Sequence, residues 1–329
     1  MVRDAHERLV ALDTAGIYES HYLKLNEPGG DRAAWFKHTL LRPLDRPALA
    51  EFWAILFCRG EAPVVAKAEV PWPALQLSPR GLGIGSPDIT LDATRARGRL
   101  ADLNWSLAMA GGGAPLLHFR HDWMYTAGFP KKKLLTPAPN LVFDGEISVG
   151  EQQWDVAGWR GHRGHNWGPA HAHTYAYGSC NLWDDGANRS IDGFSARVHV
   201  GDVLTPWLSG VVGYNPFVRQ NGLRHLGATH TVVGDTSWSV GWRRSRGGVQ
   251  LDMTARPDRF VGLRYASPDG RISYCYNTKH ALCELRARGG HYTSNQAELE
   301  LLFSEPVPGI PLHPTPDWDP SVGTYRSGV

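Results

Sequence analysis

The sequence predicts an all-β protein built from two tandem antiparallel β-barrels. Runs of about four to ten residues rich in β-branched and aromatic types recur along the chain, and Gly, Pro, Asp or Asn separate them. The 37 glycines and 23 prolines suit many turns, and the 13 tryptophans suit an aromatic-lined interior. Strands at this spacing indicate a sandwich or barrel, but there are too many for one small barrel. We therefore expect one barrel in residues 1–160 and a second in 161–329.

The elements follow from alternation and turn residues in chain order. Residues 20–26 end in the turn Glu27-Pro28-Gly29-Gly30, and in 64–70 apolar and polar side chains alternate. Further strands of the first half are predicted at 33–41, 52–57, 99–109, 118–125, 141–149 and 152–159. In the second half they are predicted at 174–183, 192–200, 207–213, 224–233, 237–243, 249–254, 260–265, 271–276, 281–286 and 297–303. Residues 3–17 have the spacing of a short amphipathic helix.

Composition excludes several classes of function. The formal net charge is +2 with Lys and Arg dispersed, which argues against a nucleic-acid partner or an anionic membrane surface. Cys58, Cys180, Cys275 and Cys283 form no CxxC pair, so we expect reduced thiols and no zinc or redox centre. The glycines of 81–88 lack the GK[ST] of a phosphate loop. There is no signal-peptide pattern and no apolar run of the roughly 20 residues a membrane helix needs, so we expect a cytoplasmic protein.

One stretch, residues 158–183, concentrates groups that can carry chemistry. It holds four of the 15 histidines (His162, His165, His171 and His173) together with Trp159, Trp167, Tyr175, Tyr177, Trp183, Asn166, Asn181 and Cys180. Alternate residues of a strand share a face, so His165 and Trp167 should point one way and Asn166 the other. If the following strand is regular, His171, His173, Tyr175 and Tyr177 should share a face.

These side chains suit acid–base chemistry on an apolar molecule. Histidine titrates near pH ~6.5, and an aromatic face can stabilise a carbocation by about 1–2 kcal/mol when desolvated. Glu19, which opens the first strand, is either a buried proton donor with a raised pKa or a solvated charge. The candidate catalytic residues are His165, His173, Tyr175 and Tyr177. The candidate substrate-binding residues are Asn166, Trp167, Asn181, Trp105, Trp123 and Glu19.

Structural and metal-binding alternatives stay open. His165 and Trp167 could instead form a packing plug between domains, and His173, Tyr175, Tyr177 and Asn181 could be cross-strand packing. The HxxH pair His162/His165 and the HxH pair His171/His173 also permit a metal. No cysteine or carboxylate lies close in sequence to complete such a set, so the prediction is no metal and no cofactor.

The central segment FPKKKLLTPAPNLVFDGEISVGEQQWDVAGWRGHRGHNWGPAH resembles a known family. Its Pro-Lys-rich connector, two paired strands and Gly164-His165-Asn166-Trp167-Gly168 signature are similar to those of the AttH-like, hydroxyneurosporene-synthase-like proteins. These are similar to carotenoid 1,2-hydratases and, more distantly, to tocopherol cyclases and lipocalin-like Diels–Alderases. The resemblance extends broadly over residues 19–183. Many relatives carry an acidic residue where this chain has Gly164.

The resemblance implies two lipocalin-like barrels with the signature near their junction, and no metal or cofactor. Barrels of this kind hold lipophilic small molecules. The expected function is hydration, cyclisation or isomerisation of a terpenoid, polyene or polyketide-like molecule without a cofactor. The alternative is a lipocalin-like carrier that binds a hydrophobic molecule and does no chemistry. The expected partner is this lipophilic substrate or ligand, and the sequence leaves the oligomeric state open.

Overall fold

Antiparallel strands build nearly the whole chain, as the alternation predicts. The computed structural model describes residues 8–119, 121–220, 228–243, 248–287 and 290–314. Two curled antiparallel sheets form the two barrels, which confirms the all-β, two-barrel, lipocalin-like prediction.

The first sheet contains twelve strands among the described residues and is centred on two long ones. Their order is β4-β3-β2-β1-β12-β11-β9-β8-β7-β6-β5, with β10 paired to β11. The strands are β1 (Ile17–Asn26), β2 (Arg32–Arg42), β3 (Leu49–Cys58), β4 (Val64–Pro71), β5 (Gln76–Leu77), β6 (Gly83–Gly85), β7 (Ile89–Asp92), β8 (Arg95–Leu100), β9 (Leu103–Gly112), β10 (Leu116–Leu117), β11 (Lys133–Val149) and β12 (Gln152–Gly168). β11 and β12 have 17 residues each and are joined at Gly150, whose φ of 55° suits a tight turn.

The second sheet has ten strands in the described residues, in the order β18-β17-β14-β13-β24-β23-β21-β20-β19, with β22 paired to β23. Its strands are β13 (Thr174–Cys180), β14 (Ser190–Arg197), β17 (Leu208–Tyr214), β18 (Val218–Gln220), β19 (His230–Val233), β20 (Ser237–Trp242), β21 (Val249–Thr254), β22 (Val261–Ala266), β23 (Ile272–Ala287) and β24 (Gly290–Phe303). A separate hairpin pairs β15 (His199–Val200) with β16 (Val203–Leu204).

Apolar side chains fill three main volumes. Phe36, Trp105 and Trp159 belong to the core inside the first barrel, and Trp238 and Leu301 to the core inside the second. A third cluster lies where the outer faces of the two sheets meet; its buried aromatic members are Tyr22, Trp35, Trp53, Phe57, Tyr177 and Tyr265. The junction is therefore a buried layer of its own, and it positions the candidate site.

The first sheet ends at Gly168 and the second begins at Thr174. The predicted boundary between residues 160 and 161 therefore lies inside β12.

Several local predictions were wrong, and three of them have a clear physical reason. The described part of 3–17 contains only a 3-10 turn, Val10–Leu12, because Leu9 and Ala11 pack into the first barrel; residues 1–7 lie outside the described part. The predicted strand 118–125 contains one helical turn, α1 (Trp123–Thr126), because its aromatic alternation meets no partner strand. A turn at Ala101, with φ 52°, splits 99–109 into β8 and β9. Further short 3-10 turns are Trp72–Ala74 and Pro257–Arg259.

None of the helices in the described ranges has both the length and the apolar character needed to cross a membrane.

Candidate active site at the barrel junction

The first strand has both of its faces buried, which is why polar residues alternate with apolar ones on it. All ten residues of β1 are buried. Glu19 and His21 face the interior of the first barrel, whereas Tyr22 and Lys24 face the second barrel. β12 pairs beside β1 and repeats this division, with His165 opposite His21 and His162 opposite Lys24. The signature strand therefore contributes to two separate environments.

The inner environment is a hydrogen-bonded cluster around Glu19. Its Oε1 accepts hydrogen bonds from His165 Nε2 at 2.8 Å and His21 Nε2 at 3.3 Å, and its Oε2 accepts one from the Ala11 backbone N–H at 2.7 Å. Burial alone would raise the pKa of Glu19, but the hydrogen bonds from the two histidines outweigh it and hold that pKa well below its usual range. Glu19 is therefore an ionised acceptor. Neither expected state of Glu19 is found: it is buried and not solvated, and its pKa is lowered and not raised, because the β1–β12 pairing places His165 beside it.

These same three residues form the one group of potential metal ligands within the described ranges. Their ligand atoms lie within 4.8 Å of one another. The His21 and His165 rings stack with centroids 3.9 Å apart and planes at 17°, and the Nε2 atoms of both are directed at Glu19 Oε1. Hydrogen bonding to Glu19 explains the arrangement better than metal ligation.

The two sequence-based metal pairs do not form sites. His162 and His165 lie on opposite faces of β12. The His171 ring packs on Tyr18 at 4.3 Å, and the His173 ring packs on His199 at 5.2 Å. The chain enters β13 only after residue 173, so strand alternation does not bring His171 and His173 together.

At the junction, Glu298 of β24 gathers groups from both barrels. Lys279 Nζ lies 2.6 Å from its Oε1, and His162 Nε2 of the first barrel lies 3.2 Å from its Oε2. Ser179 Oγ donates to Oε2 at 3.2 Å. Burial by itself raises the pKa of Glu298, but Lys279 and His162 outweigh this and lower it well below its usual range. Glu298 is therefore ionised in a region with almost no exposure to water.

A second junction cluster surrounds Asp192 of β14. His118 Nε2, which follows β10 in the first barrel, donates to Asp192 Oδ1 at 2.8 Å. Tyr177 donates to Oδ2 at 2.9 Å, and Thr136 Oγ1 donates to the same oxygen. Among the described residues, the buried His118 Nδ1 atom has no hydrogen-bond partner. Asp192 thus orients the His118 ring through Nε2, while Nδ1 is not engaged.

Tyr22 stands between the two junction clusters. Its ring centroid lies 6.3 Å from that of Tyr177 and 5.9 Å from that of His162. Burial raises the pKa of both tyrosines well above the usual value, so both are neutral phenols that can donate a hydrogen bond. We call Tyr22, His118, His162, Tyr177, Asp192 and Glu298 the junction site.

Gly164 makes room for the Tyr22 ring. A Cβ atom at position 164 would overlap the end of that ring, so the acidic residue of many relatives could not fit there without moving it. In this chain the carboxylate beside the signature histidine comes from Glu19 instead.

Polar side chains also bind the barrels to each other. Lys24 Nζ donates to Asn181 Oδ1 at 3.4 Å and to the Gln296 carbonyl at 3.2 Å. Asn26 donates to the Lys279 carbonyl at 2.9 Å. Asn181 Nδ2 donates to the Gly161 carbonyl at 2.5 Å. Burial lowers the pKa of Lys24 to about 8.

A cleft of about 620 Å³ opens between the barrels, lined by neighbours of the junction-site residues. One wall is 111–117, Asn140, Val142 and Arg160 of the first barrel, and the other is Asn188, 212–214 and 217–219 of the second. Leu117 directly precedes His118, and Val212 lies opposite Asp192 in the β14–β17 ladder. The His118–Asp192 pair therefore lies beside the cleft.

The structure divides the predicted catalytic residues among three places. His165 lies inside the first barrel, and His173 lies beside His199. Tyr177 belongs to the junction site, and Tyr175 lies in the same layer, where its hydroxyl donates to Glu300.

The predicted substrate-binding residues are also divided. Glu19 and Trp105 are inside the first barrel, with the Trp105 ring stacked on Phe36 at 4.7 Å. Trp167 stacks on His165 at 4.4 Å, as their shared face predicts. Trp123 is 55% exposed and stacks on His121. Asn181 connects the barrels, and Asn166 pairs with Ser20 on the junction side of β12.

Sequence reasoning missed Tyr22, His118, Asp192, Lys279 and Glu298. In 297–301 glutamates alternate with leucines, a pattern that normally marks a water-facing strand face. Here that face meets another barrel. The alternation was the available signal, but it does not reveal what covers the polar side.

Comparisons with known proteins identify relatives of unassigned function. The uncharacterized proteins MT0513 and Rv0493c of Mycobacterium tuberculosis, strains CDC 1551 / Oshkosh and ATCC 25618 / H37Rv, are each 24% identical to this chain over 302 residues. That alignment covers 85% of this chain and 84% of each relative. No family model matches the chain.

Solved structures share the fold. A candidate AttH protein from Nitrosomonas europaea has a TM-score of 0.57 at 11% identity, over 88% of this chain and 92% of that one. CghA with Sch210972 has a TM-score of 0.51 at 11% identity, over 88% of each chain. Kievitone hydratase from Nectria haematococca has 0.50 at 9% identity, over 88% of this chain and 89% of that one. The protein therefore has the lipocalin-like two-barrel fold of AttH-like proteins, as the sequence resemblance predicted.

Proposed function

We propose that the protein is an enzyme that hydrates, cyclises or isomerises a lipophilic small molecule at the barrel junction, without a cofactor. The observation that carries this proposal is the His118–Asp192 pair, contributed by different barrels and buried beside an inter-barrel cleft. A cleft of this size and lining is typical of small-molecule sites. Kievitone hydratase, and CghA, which was solved with Sch210972, share the fold and so support this class of function.

His118 is the proposed proton-transfer group. Its Nε2–H is held by Asp192, so Nδ1 can take a proton from water or from a carbon next to a carbonyl. In a hydration, that water adds its hydroxyl to one alkene carbon and the other carbon gains a proton, so substrate plus water equals product. In an isomerisation, the proton leaves one carbon and returns to another. Asp192 stabilises the imidazolium formed in between.

Tyr22 is proposed to polarise the substrate, while Tyr177 helps to orient Asp192 through the hydrogen bond that it donates. Tyr22 is a neutral phenol, and a hydrogen bond from it to a carbonyl oxygen stabilises the negative charge that develops there. Trp35 and Trp53 belong to the same buried layer and offer aromatic faces to an apolar substrate. In this proposal His165 acts by holding the first barrel together.

The test is conversion of a panel of polyenes, terpenoids, polyketides and isoflavonoids in water enriched in ¹⁸O and, separately, in D₂O, followed by mass spectrometry. Hydration introduces ¹⁸O, and isomerisation introduces deuterium. We expect His118→Gln to lower conversion by about 100-fold or more, because the amide can still donate to Asp192 but cannot act as a base.

The matched control is His291→Gln, an exposed histidine at the far end of β24. Full activity of folded His118→Gln would contradict the proposal. Binding of a lipophile that wild-type protein never converts would support the carrier alternative.

A further inference from the structure

We infer that the inter-barrel cleft recognises its ligand through an anionic group, a carboxylate or phosphate, at Arg160 and Arg219. The substrate class is then a lipophilic anion with its apolar body in the cleft. The conversion of such a substrate rests on the proposed function, whereas its binding at the two arginines does not.

The first argument is charge. Of the described residues that line the cleft, the charged ones are Arg160 and Arg219, and none is an aspartate or glutamate. Arg160 is half-buried and donates to Asn140 Oδ1 at 2.6 Å, a neutral partner. Neither arginine has an ion pair among the described residues. Arg219 is exposed, and the other described lining residues are uncharged. Two guanidinium groups with no carboxylate among these lining residues favour an anion, and their planar donors match carboxylate and phosphate oxygens.

The second argument is position. Arg219 of β18 lies opposite Val212 of β17, and Val212 lies opposite Asp192 of β14, so the three form one cross-strand row. Neighbouring strands are about 4.8 Å apart, so Arg219 is roughly 10 Å from Asp192 along that row. On the facing wall, Arg160 of β12 lies opposite Val142 of β11.

The third argument is the surface between the charged and reactive groups. Val212, Leu117 and Val142 line the cleft and are apolar. An amphiphilic molecule bound with its anion at the arginines would therefore extend its apolar part along this surface towards His118. Both ends of such a molecule would be recognised, which gives the ligand a defined direction in the cleft.

Calorimetric titration with matched probes tests the inference. We expect wild type to bind at least one anion at least about 10-fold more tightly than its neutral counterpart, either retinoic acid against methyl retinoate or farnesyl diphosphate against farnesol. The preferred anion distinguishes carboxylate from phosphate recognition. In Arg160→Met/Arg219→Met, the affinity for the preferred anion should fall about 10- to 100-fold, while the affinity for methyl retinoate should stay within about threefold.

Arg97→Met is the matched control, since Arg97 is exposed on β8 and does not line the cleft. Equal affinity of each anion and its neutral counterpart, an unchanged anion affinity in the double variant, or no binding of either anion to wild type would each overturn the inference. Anion binding without conversion of any substrate would leave it standing and count only against the proposed enzyme function. If the protein converts a neutral substrate and binds anions no more tightly than neutral molecules, the proposed enzyme function stands and the inference about the arginines is overturned.

Discussion

His162 and His165 are three residues apart on one strand, yet they serve different parts of the molecule. His165 faces the first barrel's interior, where its carboxylate partner, Glu19, comes from the neighbouring strand. His162 faces outward, and its carboxylate partner, Glu298, comes from the other barrel. Both are nearly inaccessible to water.

The difference teaches that a buried histidine–carboxylate pair has to be interpreted by what surrounds it. The Glu19 pair is enclosed by a single core and fastens the chain at Ala11 to the barrel. The Glu298 and Asp192 pairs join two barrels, and the latter lies beside the cleft. We therefore expect changes at the inner cluster to alter stability, and changes at the junction to alter function as well.

The largest expected effect is that of Glu19→Ala. It should lower the free energy of unfolding by about 3–5 kcal/mol, because it leaves His165, His21 and the Ala11 N–H without their acceptor in a dry interior. Urea denaturation followed by tryptophan fluorescence measures this. Glu19→Gln, which retains one acceptor oxygen, should cost less. If folded Glu19→Gln kept its stability and lost all conversion, the inner cluster would be catalytic. The distinction between a stabilising inner cluster and a functional junction would then be wrong.

The next effect concerns the pH dependence of stability at Lys24. Its folded-state pKa of about 8 lies below the ordinary 10.5, so between those values the unfolded chain binds more protons and stability rises with pH. The full difference between the folded-state and unfolded-state pKa corresponds to about 3 kcal/mol of folding stability. This contribution is absent below pH 8 and is gained as the pH rises to 10.5.

Unfolding of wild type and Lys24→Met between pH 7 and 9.5 isolates this term. We expect a smaller rise in the variant than in wild type, with the remainder due to Lys132, Lys37 and Lys133, whose pKa values burial also lowers. Lys131→Met, at an exposed lysine, should behave as wild type. A rise of undiminished size in Lys24→Met would contradict the contribution of Lys24.

The smallest of the three effects is expected for Gly164→Ala. The new Cβ overlaps the Tyr22 ring, so the free energy of unfolding should fall by about 1–3 kcal/mol. Adding Tyr22→Leu should recover part of the loss, with a coupling of at least about 0.5 kcal/mol. Gly128→Ala, whose Cβ would meet open space, is the control. Additive effects at 164 and 22 would show that the two positions do not share the junction face as described.

Alternation and turn chemistry were enough to predict the fold. Polar–apolar alternation identified most strands, and the glycine and proline turns separated them. The helix predicted near the N-terminus does not form in the described residues. Three or four apolar residues can match a helical spacing and still pack as an irregular segment, as Leu9 and Ala11 do.

The site was harder to predict because its partners are far apart in sequence. His118 and Asp192 are separated by 74 residues, and Asp192 has no local motif around it. Strand alternation predicted that His165 and Trp167 share a face, and their rings stack. It could not say whether that face lies inside a barrel or between two barrels, since either burial produces the same sequence pattern. Tyr177 was predicted as a catalytic residue because it lies in an aromatic strand. Its hydrogen-bond partner, Asp192, was not predicted.

The aromatic layer between the barrels limits how far either half can be treated as a module. Tyr22, Trp35 and Trp53 of the first barrel and Tyr265 of the second are covered only while the two halves are together. Expressed alone, each half would present a large apolar patch and tend to aggregate. Protease cleavage within 169–173 should instead leave a nicked complex that migrates as one species. For protein engineering, grafting one barrel onto another scaffold would require a redesigned face, and co-expression of the two halves is the simpler route to a split version.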